Sequence, residues 1–100
     1  MAKSFKVRFE LLPSDEGGLS PTTAIPSGSR SLLLDFGAPV SFGCVVWFDG
    51  LASASAGDRG EAQVGSWVMD EVRPFVVPGA SFKIWYGREV GRGTVLSSPQ

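Results

Sequence analysis

The chain has 100 residues, of which 43% are hydrophobic and 19% charged, and its net charge at pH 7 is -1. A chain of this length folds around one core, so residues 1–100 are expected to form a single domain. It contains no run of about 18 apolar residues that could span a bilayer, and no leader pattern precedes the first strand, so a cytoplasmic protein without membrane contact is expected. A single cysteine excludes an internal disulfide, and the absence of histidine excludes histidine-based catalysis and the commonest zinc ligand.

The charges are distributed unevenly along the chain. Both ends are basic, and between them lie eight acidic residues with only Arg30 and Arg59. A chain with a net negative charge is not typical of a general nucleic-acid binder, because such proteins gain affinity by neutralising phosphates.

The first half of the chain predicts three strands. Phe5 to Leu11 alternates apolar and polar residues, which places the apolar ones on one buried face. Proline, glycine and hydroxyl residues then predict a turn and a long ordered loop over residues 13–29. Short apolar runs predict strands over Ser31 to Phe36 and Val40 to Phe48, with a tight connection through Gly37-Ala38-Pro39.

The next segment carries weaker signals. Asp49 to Gly60 consists largely of Gly, Ala, Ser and Asp, which predicts a mobile, disordered loop. Glu61 to Val72 holds apolar residues in imperfect alternation, which predicts a strand with a bulge near Gly65.

The last part of the chain predicts a hairpin. After the turn at Pro78-Gly79, Phe82 to Tyr86 alternates as a strand, Gly87-Arg88 turns, and Glu89 to Leu96 returns, followed by a loose tail. No window sustains helical spacing over three turns. The residues therefore predict an all-β protein, either a barrel or a sandwich.

Two series of motifs, in this order and spacing, resemble the C-terminal β-barrel of elongation factor Tu. The first series follows the strand from Phe5 to Leu12 and consists of the turn Glu16-Gly17-Gly18, the loop Pro21 to Ser27, and Gly28-Ser29-Arg30. The second series consists of Arg73-Pro74, Pro78-Gly79, Phe82-Lys83-Ile84, Gly87-Arg88 and Val90-Gly91-Arg92-Gly93-Thr94-Val95. The resemblance covers nearly the whole chain, and it implies an antiparallel, six-stranded closed barrel.

The resemblance also implies a function. In the family this barrel docks other domains, nucleotide-exchange proteins and transfer RNA, and it has no catalytic residue or cofactor of its own. Arg30 would orient loops and line the docking surface, and Arg73 would keep a transfer-RNA contact. Ser29 and Leu32 replace two residues that help the family to grip transfer RNA. The chain is therefore expected to be a non-catalytic module that binds a protein partner by mimicking the elongation factor, in an immunity or regulatory role.

The alternative prediction is RNA binding. If the first and last strands pair, five cationic side chains form a basic stripe around Trp85, which suits stacking on RNA or contact with an acidic protein. The stripe consists of Lys6, Arg8, Lys83, Arg88 and Arg92. A solvated face without a partner is the other interpretation of this stripe.

Other candidate residues have structural interpretations. Asp15 and Glu16 are adjacent in a turn and point apart, which disfavours a catalytic carboxyl pair. Cys44 shares a strand face with large apolar residues and is expected in the core. The glycines near the end lack the Lys-Ser/Thr and the helix of a phosphate loop, so no nucleotide is expected. The three tryptophans are either covered by loops or exposed as binding anchors. They are Trp47, Trp67 and Trp85.

Overall fold

The computed structural model describes residues 4–37 and 40–99. Within them the chain forms eight strands, separated by two 3-10 turns and one short helix. The strands are β1 (Ser4–Leu11), β2 (Ala24–Pro26), β3 (Ser29–Gly37), β4 (Val40–Phe48), β5 (Ser53–Ser55), β6 (Arg59–Gly65), β7 (Ser81–Trp85) and β8 (Glu89–Val95). The 3-10 turns are Ser14–Glu16 and Arg73–Phe75, and the helix α1 is Met69–Val72.

Six of these strands close into an antiparallel barrel in the order β1-β6-β4-β3-β7-β8. The ring is completed where β8 pairs with β1, from Val7 opposite Val95 to Leu11 opposite Gly91. A closed barrel leaves no strand edge unpaired, and this is one way in which β proteins avoid edge-to-edge association. The predicted all-β, six-stranded closed barrel is confirmed.

The core fills the barrel with the inward residues of each strand. In β1, Phe5, Val7, Phe9 and Leu11 are at most 3% exposed, whereas the residues between them face outward. This is the pattern that strict alternation predicts. Cys44 lies in the same core, 1% exposed.

The strands β2 and β5 form a second, two-stranded sheet. Ile25 lies opposite Ala54 in this sheet, and both are fully buried. Ile25 also lines a small interior cavity together with Phe9 and Phe48 of the barrel. The small sheet is therefore part of the core.

The prediction of a mobile loop over residues 49–60 is wrong for two parts of this segment, because β5 and the first residues of β6 lie in it. The segment 13–29, predicted as a turn and a loop, also contains the short strand β2. Ala54 adds little apolar area of its own, but its backbone pairs with β2 while its methyl group packs in the interior. The Asp58 carboxylate then accepts a hydrogen bond of 2.8 Å from the Ser55 N–H and fixes the following turn.

The predicted strand over Glu61 to Val72 is also wrong in its second half, because β6 ends at Gly65. The Ser66 hydroxyl donates to the Gly43 carbonyl and accepts from the Val68 N–H, which turns the chain away from the sheet. The helix α1 then buries Met69 and Val72, three residues apart, as one helical face requires.

The remaining strand predictions are confirmed within small shifts of their ends. β4 has the predicted bounds, and the hairpin of β7 and β8 has the predicted turn at Gly87-Arg88. The predicted connection through Gly37-Ala38-Pro39 falls mainly on residues 38 and 39, which lie outside the described residues.

Candidate interaction surfaces

The outer face of the barrel holds most of the predicted site residues. Lys83 and Trp85 lie on the outer face of β7, and Lys83 is directly opposite Arg92 of β8. Arg8 lies on the outer face of β1, next to β8. The strand pairing that the stripe requires is therefore present.

Three of the five cations of the stripe form ion pairs with carboxylates that are near them in the fold. The Nζ atom of Lys6 lies 3.2 Å from Glu61 and 3.4 Å from Asp49. Lys83 Nζ is 3.6 Å from Glu89, and Arg92 Nε is 3.1 Å from Glu10. The surface is a mosaic of ion pairs on which both signs alternate.

The charge pattern around Lys6 affects its ionisation. The pKa of the Lys6 ammonium is raised above its ordinary value of 10.5, first by its hydrogen bond to Glu61 and second by its hydrogen bond to Asp49. Lys6 therefore stays fully charged at neutral pH, and its charge is directed toward these two carboxylates.

Arg88 has a structural contact. Its guanidinium donates a hydrogen bond to the backbone carbonyl of Gly18. This bond joins the turn between β7 and β8 to the turn that follows Ser14–Glu16, two segments far apart in the sequence. Arg88 thereby links the two motif series on which the family resemblance depends.

The structure does not bring the other predicted arginines to the stripe. Arg30 is exposed near the start of β3, and Arg73 is half-buried at the first position of the 3-10 turn Arg73–Phe75. The predicted site residues therefore lie on several parts of the surface.

An exposed apolar surface crosses three neighbouring strands. Trp85 of β7 is opposite Leu33 of β3, and Leu33 is opposite Gly43 of β4. The Trp67 ring lies over Gly43, where a Cβ atom would come within 2.7 Å of it. Leu33, Trp67 and Trp85 are 45%, 63% and 37% exposed. We call these three residues the outer apolar row.

Sequence reasoning singled out two members of this row and missed Leu33. The signal is present in the run Leu32-Leu33-Leu34, because alternation along a strand must turn the middle residue outward when its neighbours face the core. The position of Trp67 over Gly43 depends on the turn at Ser66, and no local pattern predicts it.

Trp47 is also exposed, on the outer face of β4 but away from this row. Its side chain is 43% exposed, and its indole nitrogen faces Gly28. All three tryptophans are thus at least 37% exposed.

The structure shows the surroundings of the carboxylates and the thiol that the sequence analysis considered as reactive groups. Asp15 and Glu16 are exposed in a 3-10 turn. The thiol of Cys44 is buried and directed at the Leu32 carbonyl, and burial raises its pKa to about 12. Reactive thiols have a lowered pKa and solvent access, so Cys44 is a core residue. Within the described residues 4–37 and 40–99, no group of three Cys, Asp or Glu side chains is arranged to hold a metal ion.

No helix in the described part of the chain has the length and apolar character needed to cross a membrane.

In comparisons with known proteins, no family model matches the chain, and no curated protein matches it at a significant level.

Proposed function

We propose that this chain is a non-catalytic interaction module that binds a protein partner through the outer apolar row. The observation that carries the proposal is the adjacency of Leu33, Trp67 and Trp85, each more than a third exposed, on the outside of three paired strands. Contiguous exposed apolar surface marks interaction sites on proteins, and tryptophan is enriched among the residues that dominate interface energies.

The partner that we propose is a cytoplasmic protein that normally recognises elongation factor Tu, which the chain binds by mimicry in an immunity or regulatory role. The order of the motif series at both ends of the chain supports this partner. So does a closed barrel with the number of strands that the resemblance implies.

RNA binding through the basic stripe is the alternative, and fewer observations favour it. Lys6, Lys83 and Arg92 are in ion pairs with carboxylates, which RNA phosphates would have to displace. An affinity that falls by several log units per log unit of salt would support RNA binding, and a flat salt dependence would reject it.

A competition experiment tests the protein-binding proposal. The immobilised chain is exposed to a cell extract with and without an excess of purified elongation factor Tu, and bound proteins are identified by mass spectrometry. We expect a protein whose capture the elongation factor abolishes. Capture that the elongation factor does not affect rejects mimicry, and recovery of RNA alone replaces the proposal with its alternative.

Two variants locate the surface. Trp85→Ser removes a member of the outer apolar row, and we expect it to weaken binding of the captured protein at least about tenfold, as truncation of an interface anchor does. Trp47→Ser removes a tryptophan of similar exposure outside the row, 43% against 37% for Trp85, and is the matched control. Equal losses in the two variants would show that the row is not the binding surface.

A further inference from the structure

A groove of about 480 Å³ crosses the outside of the barrel over β6, β1, β8 and β7. Its floor is a single row of residues paired across these strands, Gly60, Phe9, Gly93 and Phe82. Its walls are the outward side chains on either side of this row. One wall holds Arg59, Glu10 and Arg92, and the other holds Glu61, Arg8, Thr94 and Ser81. We call this feature the β1 groove, and its volume lies within the range of roughly 300–1,000 Å³ that is typical of small-ligand sites.

The carboxylates of the β1 groove already have cationic partners. Glu10 accepts a hydrogen bond from Arg92 Nε at 3.1 Å, and Glu61 lies 3.2 Å from Lys6 Nζ. Arg8 and Arg59, by contrast, form no ion pair with any residue in the ranges 4–37 and 40–99. Two exposed guanidinium groups in the walls therefore have no carboxylate partner in this part of the chain.

The sheet register brings these two arginines together. Arg8 is directly opposite Glu61, and Arg59 precedes Glu61 by two residues on the same strand. Arg8 and Arg59 are thus diagonal neighbours, a relation that separates side-chain bases by about 7 Å and lets long side chains reach one common group. Thr94, opposite Arg8 on the other side, adds a hydroxyl donor to the same wall.

We propose that the β1 groove binds the phosphate group of a small phosphomonoester between Arg8 and Arg59. A phosphomonoester carries roughly -1.5 to -2 charges at neutral pH, which matches two unpaired guanidinium groups, whereas a single carboxylate would leave one of them uncompensated. The planar guanidinium also binds phosphate oxygens in pairs. The four floor residues belong to the inward-facing register, as the burial of Phe9 and Phe82 shows, so only their backbone forms the floor, and this leaves room for the organic part of the ligand.

The proposal is independent of the protein-binding function. The β1 groove lies over β6, β1, β8 and the Ser81–Phe82 end of β7, whereas the outer apolar row includes Trp85 at the other end of β7 and extends over β3 and β4. Either site could be disabled without change to the other.

Nuclear magnetic resonance titration of the isotope-labelled chain tests the proposal. The probes are inorganic phosphate, phenyl phosphate and phenol, which is the neutral counterpart of phenyl phosphate. We expect saturable shifts of the Gly60 and Gly93 amide signals with phenyl phosphate, weaker binding of inorganic phosphate and no shifts with phenol. Equal affinity for both phosphates would assign the groove to free phosphate, and no shifts with either at about 10 mM would overturn the proposal.

Charge-matched variants separate a specific site from general attraction. We expect Arg8→Gln and Arg59→Gln each to weaken phenyl phosphate binding by about tenfold or more, since each removes a charge-assisted hydrogen bond. Arg30→Gln changes the net charge equally at an exposed site outside the groove and should bind as the wild type does. An equal loss in Arg30→Gln would overturn the proposal, provided that thermal unfolding shows all three variants folded.

A third variant predicts a gain. Glu10→Gln removes a negative charge from the wall and releases Arg92 from its ion pair, so phenyl phosphate should bind several-fold more tightly. Unchanged or weaker binding would contradict the placement of the phosphate in this groove. Tight binding of a single-stranded oligonucleotide that Arg8→Gln abolishes would instead assign the groove to nucleic acid.

Discussion

Gly60 and Gly93 both lie opposite Phe9, one on each neighbouring strand, yet their surroundings differ. A Cβ atom added at Gly60 would meet the Phe9 ring at 3.5 Å, an ordinary contact distance. A Cβ atom added at Gly93 would overlap the Phe82 ring and approach the backbone oxygen of Arg8 to 2.7 Å. Only the second glycine is required by the close approach of its neighbours.

This difference predicts opposite outcomes for two identical substitutions. Gly93→Ala should destabilise the protein by about 1–3 kcal/mol, because the Arg8 backbone oxygen on one side and the Phe82 ring on the other cannot move away without strain. Gly60→Ala should remain within about 1 kcal/mol of the wild type and could gain stability, since alanine restricts the unfolded chain more than glycine does. Urea denaturation of both variants measures the two free energies of unfolding, and equal losses would contradict the packing that we describe.

Among the elements, the strands that sequence reasoning located are those with strong internal periodicity. β1, the second half of β4 and β7 each alternate over five or more residues, so their faces are fixed before any tertiary contact is known. The closed barrel could be expected only from the family resemblance, because alternation alone does not distinguish a barrel from a sandwich.

The elements that were missed depend on contacts with distant residues. β2 and β5 have three residues each, too few for a periodic signal, and each is a strand only because it pairs with the other. The helix α1 has four residues and follows a turn that Ser66 fixes through a strand remote in sequence. Such elements are set by tertiary structure, and their local composition favours loops.

The candidate site shows the same division. The positions of Lys83, Trp85 and Arg92 on the outer face follow from strand periodicity. Their partners do not, because Glu10 and Arg92 meet only through the pairing of the first barrel strand with the last. The sequence therefore predicted where the charges are, and not that carboxylates neutralise most of them.

The small sheet of β2 and β5 gives a prediction at this scale. Ile25 is fully buried between the sheet and the barrel interior, so Ile25→Ala should lower the free energy of unfolding by about 2–5 kcal/mol. Thr22→Ala, at an exposed position just before β2, should change it by less than about 0.5 kcal/mol. Chemical denaturation measures both values. A small effect of Ile25→Ala would show that the sheet is not part of the core.

At the scale of the whole molecule, the buried thiol of Cys44 makes the stability of the barrel depend on pH. Cys44 lies opposite Leu32 inside the closed ring, where burial raises the pKa of its thiol from 9.0 to about 12. Unfolding exposes the thiol and restores its ordinary pKa. The unfolded chain therefore releases this proton at a lower pH than the folded chain does.

The stability that Cys44 contributes is consequently complete below pH 9 and is lost progressively as the pH rises toward 12. Lys6 acts in the same direction but at higher pH, because its pKa is raised from 10.5. As the pH rises from about 8 to about 10, ionisation of the thiol in the unfolded chain should therefore lower the free energy of unfolding by about 1.4 kcal/mol. This is the cost of one pH unit, because pH 10 lies about one unit above the ordinary pKa of the thiol.

The variant Cys44→Ala isolates this effect, because it removes the thiol and leaves Lys6 and the other titrating groups in place. The variant should be less stable than the wild type at about pH 8, since it creates a small cavity. That deficit should shrink by about 1.4 kcal/mol at about pH 10, because only the wild type loses the thiol contribution. Urea denaturation at the two pH values gives the four free energies required. A deficit that stays constant would mean that the Cys44 thiol ionises equally well in the folded barrel, and so that water reaches the core at this position.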